Sequence, residues 1–389
     1  MNDLFGITSA LFIAFIGAEI AQRLKYPRVI GQLAIGLLLG IPIIRSVLFT
    51  ESSIHVIEIF SELAIIFLML LTGFEVDIKK FLSNKYESTI IALFGFIVPF
   101  TVGYLLVLFL GYGPLTASIV GASLAISAEG VTAALLIELK KIKTRVGSIL
   151  LGAGIIDDLL GILFFSGILI FVNGEKINIE LIPLKIIGMI TAIIFTFLLI
   201  PKVIRSMEKN HRDASLFNVV LLVGLVLAIS TQLVGLGSVL GAFIAGVILQ
   251  NSFMCKTNKK DEIHHLYIFA FAFILPFFFI YTGINFDFVA IKNNPSFVLL
   301  ILAAAMIGKI LGAFVARPFV NLKTKQLHLI GWGMNSRGVI ELILANFALS
   351  HGLINRDLYS AIVFMTIVTT LTFPFVFKKM IKKNAGIME

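Results

Sequence analysis

The chain has 389 residues, of which 59% are hydrophobic and 14% are charged, and its mean hydropathy is +1.04. Soluble domains carry about 25% charged residues, so this composition excludes an ordinary soluble globule, a disordered chain and a fibrous protein. The single cysteine, Cys255, excludes an intrachain disulfide framework, and the net charge of +9 raises the question of where the 31 Lys and Arg residues lie.

Apolar segments of about 20 residues, the length that spans a bilayer as a helix, recur along the whole chain. They predict an all-α integral membrane protein with one membrane domain over 1–389 and a short cytoplasmic tail at 379–389. The connectors leave no room for a soluble domain, and the start of the chain, with Asp3 in place of basic residues, does not predict a cleaved signal peptide. The thirteen predicted spans are 4–22, 28–44, 54–74, 88–111, 115–139, 146–172, 181–203, 214–234, 236–254, 264–283, 296–317, 328–349 and 358–378.

The basic residues divide unevenly between the two sides of this map. Connectors that follow odd-numbered spans, together with the C-terminal end, hold 24 Lys and Arg residues, the other side holds five, and two lie inside spans. Because short cytoplasmic loops are enriched in Lys and Arg, the split predicts a cell-membrane protein with its N-terminus outside and its C-terminus cytoplasmic. The positive charge then needs no nucleic-acid partner.

Short motifs recur at an offset near 210 residues. This offset moves the motif by seven spans, an odd number, so the two copies would have opposite orientation, as in many secondary transporters. The first repeat would be 1–172, the linker helix 181–203 and the second repeat 214–378, unless Gly-rich apolar helices merely resemble one another. The matching segments are 29–38 with 239–248, 72–77 with 282–287, and 129–131 with 337–339.

Three charged residues lie in the middle of predicted spans. An ionisable side chain at mid-helix costs about 2.5–3.5 kcal/mol or more, so each is a candidate for function. Asp157 and Asp158 lie in span 6 and Lys309 in span 11. Adjacent helical residues point about 100° apart, so one aspartate can face a cavity while the other meets a neighbouring helix. An Asp–Lys pair would lower the burial cost, and the second Asp favours a functional site over a structural pair that only orients helices.

Two further spans carry a charge beside glycine and small polar residues, where a spanning helix is expected to break. Glu129 in span 5 and Arg337 in span 12 occupy equivalent repeat positions. They are predicted to compensate the dipoles of half-helices, paired with each other or, for Arg337, with Glu341 one turn later; direct substrate binding is the alternative. Ser127 and Thr132 are candidate neutral cation ligands, or their hydroxyls bond to the backbone.

These groups suggest cation chemistry. Oxygen ligands suit hard cations, so Asp157 and Asp158 are the candidate ligands of a metal cation. A carboxylate that binds either a proton or a cation makes exchange compulsory if the site crosses only when occupied. The sequence has neither a nucleotide-binding Gly-x-x-x-x-Gly-Lys loop nor the motifs of intramembrane aspartyl proteases, so an enzyme and a cofactor are not expected. A channel is the other class of membrane protein to consider.

Four motifs together resemble the monovalent cation:proton antiporter superfamily, in its second branch, over essentially the whole chain. They are Gly-Ile-Ile-Asp-Asp-Leu-Leu-Gly at 154–161, Ser-Ala-Glu-Gly at 127–130, Gly-Lys-Ile-Leu-Gly at 308–312 and Gly-Met-Asn-Ser-Arg-Gly-Val-Ile-Glu-Leu at 333–342. The resemblance implies thirteen transmembrane helices in two inverted six-helix repeats. It also implies two crossed discontinuous helices, spans 5 and 12, in a core domain that moves like an elevator within a homodimer.

The resemblance also implies roles for individual residues. Asp158 would be the principal carboxylate for cation and proton, and Asp157 would pair with Lys309 until a cation displaces that pairing. The adjacent aspartates are similar to those of electrogenic members, which predicts more than one proton per sodium. Glu129 and Glu341 depart from the pattern. Sodium (or lithium)/proton antiport is the leading prediction, and potassium/proton antiport is the alternative.

Overall fold

The computed structural model describes residues 3–24, 26, 28–75, 85–173, 191, 213–254, 266–383 and 386–388. The regular elements in this part of the chain are helices, in agreement with the predicted all-α class. The helices are α1 (Asp3–Arg23), α2 (Arg28–Leu39), α3 (Pro42–Leu48), α4 (Glu51–Glu75), α5 (Lys85–Phe109), α6 (Pro114–Ala125), α7 (Glu129–Glu138), α8 (Arg145–Asn173), α9 (Asp213–Val234), α10 (Ser238–Met254), α11 (Leu266–Ile284), α12 (Phe288–Asn293), α13 (Pro295–Val315), α14 (Thr324–Gly333), α15 (Val339–Ser350) and α16 (Arg356–Lys383).

Seven of these helices, α1, α4, α5, α8, α11, α13 and α16, are long and apolar enough to cross a membrane. The pair α2 and α3 passes the same test jointly, and α6, α9, α10 and α15 include shorter apolar helices. The chain is therefore a multi-pass membrane protein. Helices lie in twelve of the thirteen predicted segments, whereas the predicted linker at 181–203 lies outside the described residues except for residue 191. The count of thirteen spans and the two inverted repeats stay predictions.

The segment 28–44 differs from the single span predicted there. α2 ends at Leu39, α3 begins at Pro42, and the chain bends by 90° between them. Proline is well accommodated in the first turn of a helix, but in a helix interior it removes a backbone hydrogen bond and clashes with the preceding turn. Pro42 therefore starts a new helix instead of continuing α2.

The chain divides into two compact units. The first comprises Met1–Gly17, Ser46–Asp77 and Leu163–Tyr281, and the second comprises Ala18–Arg45, Ile78–Ile162 and Thr282–Glu389. Within the first unit, α4 and α10 pack closely at two glycines. A Cβ built on Gly246 of α10 would lie only 2.8 Å from the Cα of Gly73 in α4. Within the second, α5 packs against α6 and α13. All the residues predicted for the ion site belong to the second unit.

Two interrupted helices lie in the second unit. α6 ends at Ala125 and α7 begins at Glu129, so residues 126–128 form a first link, in which the backbone of Ile126 and Ala128 is extended. α14 ends at Gly333 and α15 begins at Val339, so residues 334–338 form a second link. The two links touch, since the N–H of Ala128 donates a hydrogen bond of 2.8 Å to the carbonyl of Ser336. The links bring backbone groups that a continuous helix would satisfy internally into the interior of the unit.

The end of the chain folds back onto the second unit. α16 continues to Lys383, beyond the predicted span end, and Ile387 and Met388 are buried in the apolar core of this unit, which also contains Leu150. The carbonyl of Met388 accepts a hydrogen bond of 3.1 Å from the N–H of Val146. That N–H lies in the first turn of α8, where a helix cannot supply the acceptor. The segment predicted as a tail is thus partly helix and partly packed chain.

Candidate functional site

The two aspartates of α8 differ in their surroundings. Asp157 is fully buried, whereas Asp158 keeps 9% of its surface exposed. The Asp157 carboxylate accepts a hydrogen bond of 2.8 Å from the N–H of Ser127 and another from the Ser127 hydroxyl. Ser127 can offer both donors to one carboxylate because it lies in the extended first link, where its N–H is not used by a helix.

Lys309 of α13 lies next to the same carboxylate. Its Nζ is 3.0 Å and 3.2 Å from the two oxygens of Asp157, and 3.4 Å from the Ser127 hydroxyl. Both charged side chains have no exposed surface. A pair of this kind is costly to desolvate and strongly destabilising to break, so it needs the additional hydrogen bonds that Ser127 supplies. The structure therefore assigns the Lys309 pairing to Asp157.

Arg337 lies in the second link, but its side chain reaches the end of α6. The guanidinium donates hydrogen bonds to the carbonyls of Ile126 and Ser123, the latter at 3.4 Å, and to the carbonyl of Ala305 at 3.2 Å. The last carbonyls of a helix have no intrahelical donor and carry the negative end of its dipole. Arg337, only 1% exposed, thus places its positive charge where the dipole interpretation expects it.

Glu341 lies in the first turn of α15, the positive end of that half-helix. Its Oε1 accepts a hydrogen bond of 2.5 Å from the hydroxyl of Thr366 on α16. Its Oε2 lies 3.8 Å from the Arg337 guanidinium and makes no hydrogen bond within the described residues. Glu129 is the first residue of α7, the equivalent end of the other interrupted helix, and its side chain lies outside the described part of the chain.

Ser127 and Thr132, the two hydroxyl residues predicted as cation ligands, lie at different positions in the structure. Ser127 lies at the Asp157–Lys309 pair. Thr132 lies on α7, and its Oγ1 is 2.9 Å from the carbonyl of Gly333 and 2.8 Å from the hydroxyl of Ser336. The alternative named for such hydroxyls, a bond to the backbone, therefore describes Thr132 better.

Sequence reasoning missed three residues that surround these groups. They are Ser336 in the second link and two threonines of α16, Thr366 on Glu341 and Thr370, whose hydroxyl donates over 2.9 Å to the carbonyl of Arg337. The available signal was the density of hydroxyls at 366–372, which is high for an apolar span. Ser336 was part of the quoted Asn-Ser-Arg motif, but no partner for its side chain could be named.

The geometry suits an exchange of cations. The Lys309 ammonium lies against two carboxylate oxygens and one hydroxyl oxygen. Oxygen atoms of these kinds are also the ligands of hard metal cations. A metal cation that took its place would find the same oxygens, with the second carboxylate of Asp158 adjacent in α8.

Comparisons with known proteins identify the family of the chain. The family model described as "Sodium/hydrogen exchanger, transmembrane" matches residues 8–383. The chain is 28% identical to the Na(+)/H(+)-K(+) antiporter GerN of Bacillus cereus over 95% of this chain and 94% of that protein. It is 29% identical to a Na(+)/H(+) antiporter of Enterococcus hirae over 98% of this chain and 99% of that protein.

The fold has a solved counterpart. The structure of the sodium proton antiporter MjNhaP1 from Methanocaldococcus jannaschii at pH 8 covers 99% of each chain, with a TM-score of 0.73 and 19% identity. At 19% identity the similarity to this structure shows the fold alone. The family model, in contrast, matches the amino-acid sequence. Since that model spans nearly the whole chain, the protein belongs to the sodium/hydrogen exchanger family, a family of transporters and not of enzymes.

Proposed function

We propose that the protein is a secondary antiporter that exchanges sodium (or lithium) for protons, with more than one proton per sodium. The observation that carries this proposal is the buried Lys309–Asp157 pair, joined by Ser127 and followed directly by Asp158. Family membership supports the class of reaction, and the similar antiporters from Bacillus cereus and Enterococcus hirae support sodium as the cation.

The proposed cycle alternates two occupied states of the same site. In the proton-loaded state, Lys309 is an ammonium paired with Asp157, and Asp158 carries a proton. Sodium then binds the oxygens of both aspartates and of Ser127, so Asp158 releases its proton. Lys309, deprived of its counter-charge, releases a second proton. Each turn moves one sodium ion against these two protons, which transfers net charge and makes the exchange electrogenic.

An elevator-type movement would carry this site across the membrane. Asp157, Lys309, Ser127 and Arg337 all belong to the second unit, so a movement of that unit as a body would preserve their contacts. We further propose a homodimer in the lipid of the cell membrane, with the N-terminus outside and the C-terminus cytoplasmic. The dimer and the elevator follow from the family resemblance, and the orientation follows from the distribution of Lys and Arg.

Proteoliposomes test the reaction directly. The purified protein is reconstituted, a pH gradient is imposed, and Na⁺, Li⁺ or K⁺ is added to separate samples. Dissipation of the gradient by Na⁺ or Li⁺ is expected, and failure of all three cations would refute antiport.

Asp158→Asn should abolish this activity while the protein still purifies as a folded species, because the neutral amide can carry neither the proton nor the cation charge. Glu138→Gln is the matched control, since Glu138 pairs with Lys378 at an exposed position and should retain activity. Retained transport in Asp158→Asn would refute the role of that residue.

Potassium/proton antiport is the alternative. It is favoured by the similarity to the Bacillus cereus relative, whose name includes K(+) as well as Na(+). Carboxylate and hydroxyl oxygens do not by themselves select ion size. In the cation panel, dissipation by K⁺ but not by Na⁺ or Li⁺ would establish this alternative over the leading proposal.

A further inference from the structure

The second link holds the first link through Ser336, a residue with no exposed surface. The carbonyl of Ser336 accepts a hydrogen bond of 2.8 Å from the N–H of Ala128, and its hydroxyl donates one of 2.7 Å to the carbonyl of Ala128. Both polar backbone groups of Ala128 are therefore bonded to a single residue of the other link. The N–H of Ala128, in the extended link, has no acceptor in its own helix, whereas its carbonyl, at the N-cap of α7, is also placed to accept from that helix.

Two more contacts keep the links together. Thr132 on α7 lies within 2.8 Å of the Ser336 hydroxyl and 2.9 Å of the Gly333 carbonyl, which ties the start of α7 to the second link. Gly338 lies so close to Ala128 that a Cβ built on it would overlap the Cβ of Ala128. Thus Ala128 donates one hydrogen bond to Ser336 and accepts another from it, and Gly338 packs closely against its Cβ.

This attachment leads to the ion site through one peptide bond. Ala128 follows Ser127, whose N–H and hydroxyl both donate to Asp157, and Asp157 in turn holds Lys309. A shift of Ala128 would move Ser127 and so alter the oxygen cage that either the ammonium or a cation occupies. A displacement well below 1 Å would weaken these hydrogen bonds, because the strength of a hydrogen bond falls steeply as its distance and angle depart from the preferred values.

We infer that Ser336 is a positioning residue for cation binding, which acts through Ala128 and Ser127 on Asp157 and which Thr132 supports. This inference rests on the proposed function, since it concerns the affinity of the same site. Thr132 is accordingly assigned to the connection between the links and not to the cation. The described hydrogen bonds of Ser336 go to Ala128 and Thr132, so its removal should weaken cation binding while leaving the exchange chemistry in place.

The test is the Na⁺ dependence of antiport by Ser336→Ala in proteoliposomes. We expect the apparent KM for Na⁺ to rise about fivefold, equivalent to about 1 kcal/mol, with the maximal rate within about twofold of wild type. Thr132→Val is the second variant, which keeps the side-chain shape and should raise KM by a smaller factor. Ser88→Ala is the matched control, because the buried Ser88 hydroxyl also donates to a carbonyl of another segment, that of Ile149 in α8.

The outcomes separate the inference from the function on which it rests. An unchanged KM in folded Ser336→Ala, or an equal rise in Ser88→Ala, would overturn the inference while leaving antiport intact. If Ser336→Ala does not fold, an unchanged KM in Thr132→Val overturns it. Absence of cation-dependent proton flux in the wild-type protein would instead refute the proposed function, and the inference with it.

Discussion

Two buried charge pairs, built from the same kinds of groups, differ in how the cation is held. Lys309 lies 3.0 Å from Asp157, and the described partners of its ammonium are that carboxylate and the Ser127 hydroxyl. Arg337 lies 3.8 Å from Glu341, and its hydrogen bonds go to main-chain carbonyls of α6, the first link and α13. Both pairs are fully buried, so solvent exposure does not account for the difference.

The difference separates an exchangeable charge from a fixed one. A carboxylate and a hydroxyl are groups that a metal cation can also use, so the ammonium of Lys309 can be replaced. The carbonyls that hold Arg337 are backbone groups, which lose their hydrogen-bond donors if the guanidinium leaves. The charge of Arg337 is therefore fixed by the fold. The guanidinium is also permanently charged and suited to several fixed hydrogen bonds, whereas an amine can give up its proton. We therefore expect mutations at Arg337 to act on folding and mutations at the Lys309 pair to act on transport.

The largest effect is expected for Arg337→Ala. Its removal leaves buried carbonyls at the end of α6 without donors and Glu341 without its nearest positive charge. Removing one partner of a buried pair costs about 3–5 kcal/mol, so the variant should be lost as a folded species. Size-exclusion chromatography and thermal unfolding in detergent measure this loss. Arg317→Ala is the control, because Arg317 is exposed; a monodisperse Arg337→Ala with wild-type stability would erase the distinction between the two pairs.

The site shows where sequence reasoning works and where it ends. The bilayer imposes a minimum length on apolar helices, and for this reason the prediction 296–317 lies close to the observed Pro295–Val315. The two interruptions were predictable because glycine and polar residues accumulate in spans that are otherwise apolar. The 90° bend before Pro42 was not predicted, because 28–44 was kept as a single span on its apolar character although it contains a proline.

Most contacts between distant residues could not be derived from the residues themselves, and only the family resemblance indicated Asp157 as the partner of Lys309. Asp157 and Asp158 are adjacent and chemically identical, so only the rotation of α8 against α13 decides which of them meets Lys309. The bond between Ala128 and Ser336 joins residues 208 positions apart, and neither residue has a side chain that specifies the other. Thr366 is similar: a hydroxyl in an apolar helix ordinarily bonds to its own backbone, and its second contact, with Glu341, depends on how α15 and α16 pack.

The second-largest effect is expected for Asp157→Asn, which removes the counter-charge of Lys309 and so tests whether this pair carries the exchangeable charge. The amide oxygen can still accept from Ser127, so the first link should keep its place. An isolated buried ammonium neutralises, so Lys309 no longer brings a proton into the cycle. Exchange then uses only the proton of Asp158 and should become electroneutral.

Solid-supported membrane electrophysiology measures the charge moved by Asp157→Asn. A sodium jump should give a transport current with the wild-type protein and none with the variant, while a pH-sensitive dye still reports sodium-dependent proton flux. A current of wild-type size from an active Asp157→Asn protein would refute the proposed charge count. Glu138→Gln is again the control, because it removes a carboxylate charge at the exposed pair with Lys378.

The smallest effect is expected for Glu341→Gln. The amide oxygen retains the hydrogen bond from Thr366, and the guanidinium of Arg337 keeps its carbonyl partners, so the cation loses only a carboxylate oxygen 3.8 Å away. A single hydrogen bond contributes about 1 kcal/mol, and this contact is too long to be one, so we expect a loss of unfolding free energy of about 1 kcal/mol or less, with an unchanged KM for Na⁺. Thermal unfolding and the liposome assay measure the two quantities separately. If Glu341 instead carries a transported proton, the glutamine variant would fold normally and lose its current, and both buried pairs would then belong to the exchange cycle.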